Sequence, residues 1–116
     1  FGNLVANNYA LGACSDLSRG IIGGGNASVI TNVIQYITIS TTGNTTDFGD
    51  LTIAKQGTNW CADSTRGVCG GGYNAGEGGH QNVMEYITIQ TTGNGTDFGD
   101  LLVSKAARGG LAAWLI

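Results

Sequence analysis

Residues 32–55, NVIQYITISTTGNTTDFGDLTIAK, recur at residues 82–105 as NVMEYITIQTTGNGTDFGDLLVSK, with 17 of 24 positions identical and a spacing of 50 residues. A shorter match extends the unit upstream. CSDLSRGIIGGG, from Cys14, pairs with CADSTRGVCGGG, from Cys61, at an offset of 47, so three residues are inserted between the glycines and the second long copy. Self-similarity at this period marks a supersecondary unit that cannot bury its own apolar face and has to stack on neighbours of its own kind. Function then depends on what the stack displays.

Each unit reads as four strand-like runs separated by turn residues. In the first unit they are 9–14, 19–24, 33–40 and 48–55; in the second they are 59–62, 66–71, 83–90 and 98–105. The links are Ser15-Asp16-Leu17-Ser18 and Asp63-Ser64-Thr65, a glycine-rich loop, and Thr42-Gly43-Asn44 and Thr92-Gly93-Asn94. Such hairpin-length links imply antiparallel neighbours. Along the third run Val33, Ile37 and Ile39 fall on one face and Ile34 and Tyr36 on the other, so both faces are at least partly apolar. A sheet covered on one side alternates cleanly between apolar and polar residues; this one is expected to be sandwiched between similar sheets. The predicted class is all-β, with four antiparallel strands per repeat, stacked as β-propeller blades.

The repeat also has phase. Residues 1–8 read as the fourth strand of a preceding blade, because Phe1-Gly2-Asn3-Leu4 resembles Phe48-Gly49-Asp50-Leu51 and Phe98-Gly99-Asp100-Leu101. Residues 9–55 form a first blade and 56–105 a second. Residues 106–116 begin a following one, by the similarity of Gly110-Leu111-Ala112-Ala113 to Leu11-Gly12-Ala13-Cys14. Propellers close with roughly four to eight blades. The chain is therefore expected to be stable only within a larger propeller, built from copies of itself, from other structural subunits or from flanking sequence.

The glycines that end the second strand (Gly23-Gly24-Gly25 and Gly70-Gly71-Gly72), the Tyr on the third (Tyr36, Tyr86) and the aromatic that opens the fourth (Phe48, Phe98) resemble the kelch repeat of about 50 residues. Phe48 and Phe98 stand where kelch repeats carry Trp. The wording YITI, TTGN, TDFGDL and STRGV with GGG is similar to kelch-like arrays of predicted phage virion and bacterial surface proteins. That resemblance implies a structural or receptor-contacting module, such as a tail fibre or capsid decoration, located on a virion or extracellular surface. It supplies no catalytic residue.

Composition narrows the alternatives. With 11% charged residues and a net charge of −3, there is no basic stripe to neutralise phosphates, so a nucleic-acid partner is disfavoured. The longest apolar stretch, residues 111–116, falls far short of the roughly 20 needed to cross a bilayer, so no membrane partner is expected. Nothing after Phe1 reads as a signal peptide. Cys14, Cys61 and Cys69 are too few for a disulfide scaffold and form no zinc pattern. They read as small hydrophobes on strands, with a Cys61–Cys69 bridge across a hairpin the alternative.

Several motifs invite chemistry. Asp47-Phe48-Gly49 and Asp97-Phe98-Gly99 match a kinase triplet, but the glycine-rich loop, strand lysine and catalytic loop that accompany it are missing. The structural reading puts Phe48 and Phe98 between blades, mostly buried, with Gly49 and Gly99 permitting a bulge. Gly24 and Gly71 lack the Gly-Lys-Ser/Thr of a phosphate loop and read as sites of close strand approach. Asn44, Thr46, Asp47 and Asp50, with Asn94, Thr96, Asp97 and Asp100, lack calcium-loop spacing and read as turn formers, so no metal or cofactor is expected. Asn26, Asn44 and Asn94 head glycosylation sequons.

The most distinctive loop holds the insertion, Tyr73-Asn74-Ala75-Gly76-Glu77-Gly78-Gly79-His80. Tyr73, Asn74, Glu77 and His80 suit a polar ligand such as a surface glycan. Two readings follow: a non-catalytic structural or interaction module, and a carbohydrate-binding lectin assembled from two-blade chains.

Overall fold

A computed structural model describes residues 1–104; the expected strand at 106–116 lies outside the described residues. The chain is nearly all β. Strands β1 (Gly12–Ser15), β2 (Arg19–Gly23), β3 (Val33–Thr38) and β4 (Thr46–Asp50) form one antiparallel sheet in that order. β5 (Asn59–Ala62), β6 (Arg66–Gly70), β9 (Val83–Thr88) and β10 (Thr96–Asp100) form a second. Between β6 and β9 the inserted loop makes its own small hairpin, β7 (Tyr73–Asn74) and β8 (Gly79–His80), joined by a 3-10 turn (Ala75–Glu77). Among the described residues no helix is long and apolar enough to cross a membrane.

The turn residues act as their chemistry dictates. Asp16 Oδ1 accepts hydrogen bonds from the amides of Ser18 (3.0 Å) and Arg19 (2.8 Å), and Asp63 Oδ1 does the same for Thr65 and Arg66 at 2.7 Å each. Both close the first hairpin of their sheet. Phe48 and Phe98 are the extra residues of two matching bulges: Gln35 pairs with Asp47 and Ile34 with Gly49, while Glu85 pairs with Asp97 and Met84 with Gly99. Gly49 (φ 150°) and Gly99 (φ 138°) carry the backbone that each bulge requires.

The apolar core lies between the two sheets. From the first sheet come Ile21, Ile34, Phe48 and Leu51, and from the second Trp60, Cys69, Ile87 and Ile89, with Cys14, Tyr36 and Ala62 packed around them. Strand parity explains the selection. Register places Cys14, Ile21 and Tyr36 side by side on one face of the first sheet. It places Trp60, Cys69 and Glu85 side by side on the facing surface of the second. Glycines allow the approach: a Cβ on Gly12 would lie 2.3 Å from Trp60 Cδ1, and one on Gly67 would lie 2.9 Å from Cys14 Sγ.

Three expectations need correction. The fourth strands occupy 46–50 and 96–100, shorter than the runs expected at 48–55 and 98–105; in the first unit Thr52 N turns away to bond Glu85 of the next sheet. The first run starts at Gly12; Tyr9 is held separately in a bridge to Asn26. Phe48 is 3% exposed, but Phe98 is 50% exposed, because in the described structure no third sheet faces the outer surface of the second.

Candidate functional site

The four candidate ligand residues sit on the inserted hairpin. Tyr73 and His80 are paired across β7 and β8, their rings 5.2 Å apart and edge-on. Asn74 is committed to structure: its Oδ1 accepts from the Gly76 amide at 3.0 Å and its Nδ2 donates to the Ala54 carbonyl at 2.8 Å. Glu77 is exposed, and its carbonyl accepts from Gln81 Nε2 at 2.8 Å. The hairpin thus brings Tyr73 and His80 together, turns Asn74 onto the backbone and leaves the Glu77 side chain on the solvent side. A shallow open hollow lies elsewhere, lined by Tyr86, Thr88, Thr92, Gly93, Asn94 and Thr96.

The richer chemistry lies at the junction between sheets. After the β4 bulge the chain runs along the β9–β10 loop of the second sheet. Gly93 N donates to the Phe48 carbonyl, Gly95 N donates to the Asp50 carbonyl (both 2.8 Å), and Asp50 N donates to Asn94 Oδ1 at 3.0 Å. Thr52 N then donates to Glu85 Oε1 at 2.8 Å. Residues 1–5 make the same four bonds to the first sheet. Gly43 N donates to the Phe1 carbonyl at 3.0 Å, Thr45 N to the Asn3 carbonyl at 2.9 Å, Asn3 N to Asn44 Oδ1 at 2.9 Å and Val5 N to Gln35 Oε1 at 3.0 Å. Asn44 and Asn94 therefore clamp a neighbouring backbone, a role that reading them as local turn formers missed.

Lys55 and Glu85 are the most buried charges among the described residues, at 0% and 1% exposure, with Nζ 2.8 Å from Oε2. The contact is an ion pair by distance, without the alignment of a hydrogen bond. Glu85 is further held by the Thr52 hydroxyl at 3.2 Å. A buried pair of this kind is held in place by geometry more than it is stabilised, because desolvation offsets much of the attraction. Neither residue stood out in the sequence. The available sign was that Gln35 and Glu85 break an otherwise near-identical repeat.

On each sheet an arginine lies over a tyrosine, 4.4 Å from Arg19 to the Tyr36 ring and from Arg66 to the Tyr86 ring. Each tyrosine in turn meets its phenylalanine edge-on, with centroids 6.0 Å apart. The first Arg–Tyr–Phe stack is inside the junction, where Arg19 Nη1 also donates to the Ile89 carbonyl at 3.1 Å. The second faces outward.

The three thiols are free. Cys69 lies opposite Trp60 on the inner face and Cys61 opposite Val68 on the outer, so strand register keeps them apart and excludes the hairpin bridge. Burial pushes the Cys14 and Cys69 thiols up to about 12, which leaves both poorly nucleophilic. Gly24 and Gly71 both adopt positive φ, 70° and 69°. A Cβ on Gly24 would lie 2.5 Å from the Lys55 carbonyl oxygen, a close backbone approach. Among the described residues, no group of His, Cys, Asp and Glu is arranged to hold a metal ion. The chain matches no protein-family model and no curated protein.

Proposed function

We propose that the chain is a segment of a kelch-like β-propeller that serves as a non-catalytic structural or interaction module in a surface assembly such as a phage appendage. The observation that carries this reading is the location of the core between two sheets of repeated sequence, which makes sheet stacking the source of stability. The polar residues support it, since they are spent on structure: Asp16 and Asp63 close turns, Asn44 and Asn94 clamp backbone, and Lys55 pairs with Glu85. The second reading, a glycan-binding lectin, is favoured by one feature, the Tyr73–His80 ring pair on the inserted hairpin. A glycan-array screen separates them. The scaffold reading expects no specific binding; binding that is lost in Tyr73→Ala or His80→Ala establishes the lectin.

A further inference from the structure

Residues 32–55 and 82–105 differ at only seven positions. Three of these, Gln35/Glu85, Ser40/Gln90 and Thr45/Gly95, stand where the second copy meets the first sheet. Gln90 Nε2 donates to Asp16 Oδ2 at 2.5 Å and to Ser18 Oγ at 2.7 Å, and Glu85 and Gly95 receive residues 50–55. Two of the three belong to sets that differ together. At the first sheet a neutral Gln35 accepts from Val5 N at 3.0 Å and from Thr45 Oγ1 at 2.5 Å, and Asn8 holds in sequence the place of Lys55. At the second sheet Glu85 meets Thr52 and Lys55, and position 95 is glycine, where a Cβ would lie 2.4 Å from Glu85 Oε1 and oblige that side chain to shift. Mixing the sets fails on simple grounds: a Gln at 85 leaves Lys55 buried without a counter-charge, and a Thr at 95 collides with the carboxylate.

The outer surface of the second sheet repeats the buried surface of the first. Val68, Met84, Tyr86, Phe98 and Leu101 occupy the places of Ile21, Ile34, Tyr36, Phe48 and Leu51, yet Phe98 is 50% exposed and Leu102 fully so. A folded second copy of the chain could cover this surface with a matching face only by displacing its own residues 1–5. Gln35 on its first sheet is already taken by its own residues 1–5, and its Glu85 face is closed in its own junction.

We propose that positions 35/85 and 45/95, read against positions 52 and 55 of the unit before, form a pairing key. The outer face of the second sheet then docks one more repeat unit, continuous in sequence, with a carboxylate at the position of Glu85 and glycine at that of Gly95. Lys105, which repeats Lys55 in sequence, calls for that acid. The inference rests on the repeat-array reading and adds the identity of the partner surface.

The test inserts a second copy of residues 56–105 between Lys105 and Ala106, either as it stands or with Gln and Thr at the positions of Glu85 and Gly95. Phe98→Trp in each, read as a difference spectrum against the Phe98 parent, reports cover of the outer face. The acid-type insertion is expected to melt in one transition above the unextended chain and to shift the added indole emission to the blue, and the amide-type insertion to do neither. An unshifted indole in the acid-type protein, equal behaviour of the two insertions, or a discrete dimer of the unextended chain with its indole already shifted overturns the proposal. The existing junction gives a second reading in the unextended chain. There Glu85→Gln/Gly95→Thr should lower the melting temperature, and adding Thr52→Val/Lys55→Asn should restore it; failure of the second pair to restore removes the key. A glycan-array hit would change the proposed role and leave all of these outcomes unmoved.

Discussion

Phe48 and Phe98 offer a comparison in which local sequence is held constant. Both sit in a TDFGDL segment, both fill a bulge, and both meet a tyrosine edge-on at 6.0 Å. Only the facing surface differs: 3% exposure for Phe48 against 50% for Phe98. Removing a fully buried phenylalanine costs about 3–5 kcal/mol, because the transfer loss and the cavity add. Full burial of such a side chain is worth about 1.5–3 kcal/mol, so half burial without an enclosed cavity puts Phe98→Ala at about 1 kcal/mol. For a domain of this size about 1 kcal/mol moves the melting temperature by about 4 °C, so Phe48→Ala should fall by about 12 °C or more and Phe98→Ala by about 4 °C. Urea titration followed by circular dichroism supplies the free energies, provided the slope stays constant across the variants. Equal losses for the two variants, or a Phe48→Ala loss below about 1 kcal/mol, would refute the claim that the sheet-to-sheet surface is the core.

Other outcomes follow from the junction and the turns. Lys55→Met should cost about 3–5 kcal/mol by stranding Glu85, and Lys55→Met/Glu85→Gln should recover most of it, since an amide there can accept the Thr52 amide as Gln35 accepts that of Val5; chemical denaturation reads both. Gly24→Ala should lose about 2 kcal/mol or more, because φ is +70° and the added Cβ meets the Lys55 carbonyl, whereas Gly43→Ala, with open space around it, should stay within about 0.5 kcal/mol. Burial raises the Asp16 carboxyl, but the Arg19 amide, the Gln90 side chain and the Ser18 amide and hydroxyl outweigh it and hold the group below its usual range. Its contribution to stability is thus present above the unfolded carboxylate value of about 3.9 and is lost as pH falls through the lower folded value. The gap in melting temperature between wild type and Asp16→Ala should be constant from neutral pH to about pH 5 and shrink below about pH 4; a gap that widens on acidification contradicts the assignment.

Short-range chemistry was legible in the chain. The run at 59–62 coincides with β5, those at 19–24 and 66–71 overshoot β2 and β6 by one residue, and the bulge at each Phe-Gly follows from a glycine that can take the required backbone. Hairpin turns, strand alternation and the repeat itself depend on residues a few places apart, so a linear reading reaches them. The loop from Tyr73 to His80 was found as an insertion, but the commitment of Asn74 to its own turn and to Ala54 could not be seen, because Ala54 is brought there by the fold.

The sequence by itself determined an all-β chain of two like units with apolar residues on both faces of each third strand, because ladder geometry and turn closure are local. Tertiary structure alone decided where the first unit's fourth strand ends, since Thr52 N and the Lys55 side chain turn to Glu85, on a sheet that begins later in the chain. It also decided that Lys55 meets Glu85, 30 residues away, and that one of two identical phenylalanines is buried while the other is half in water. Burial and charge pairing are properties of the opposing surface, and a repeated segment carries no record of whether that surface is present.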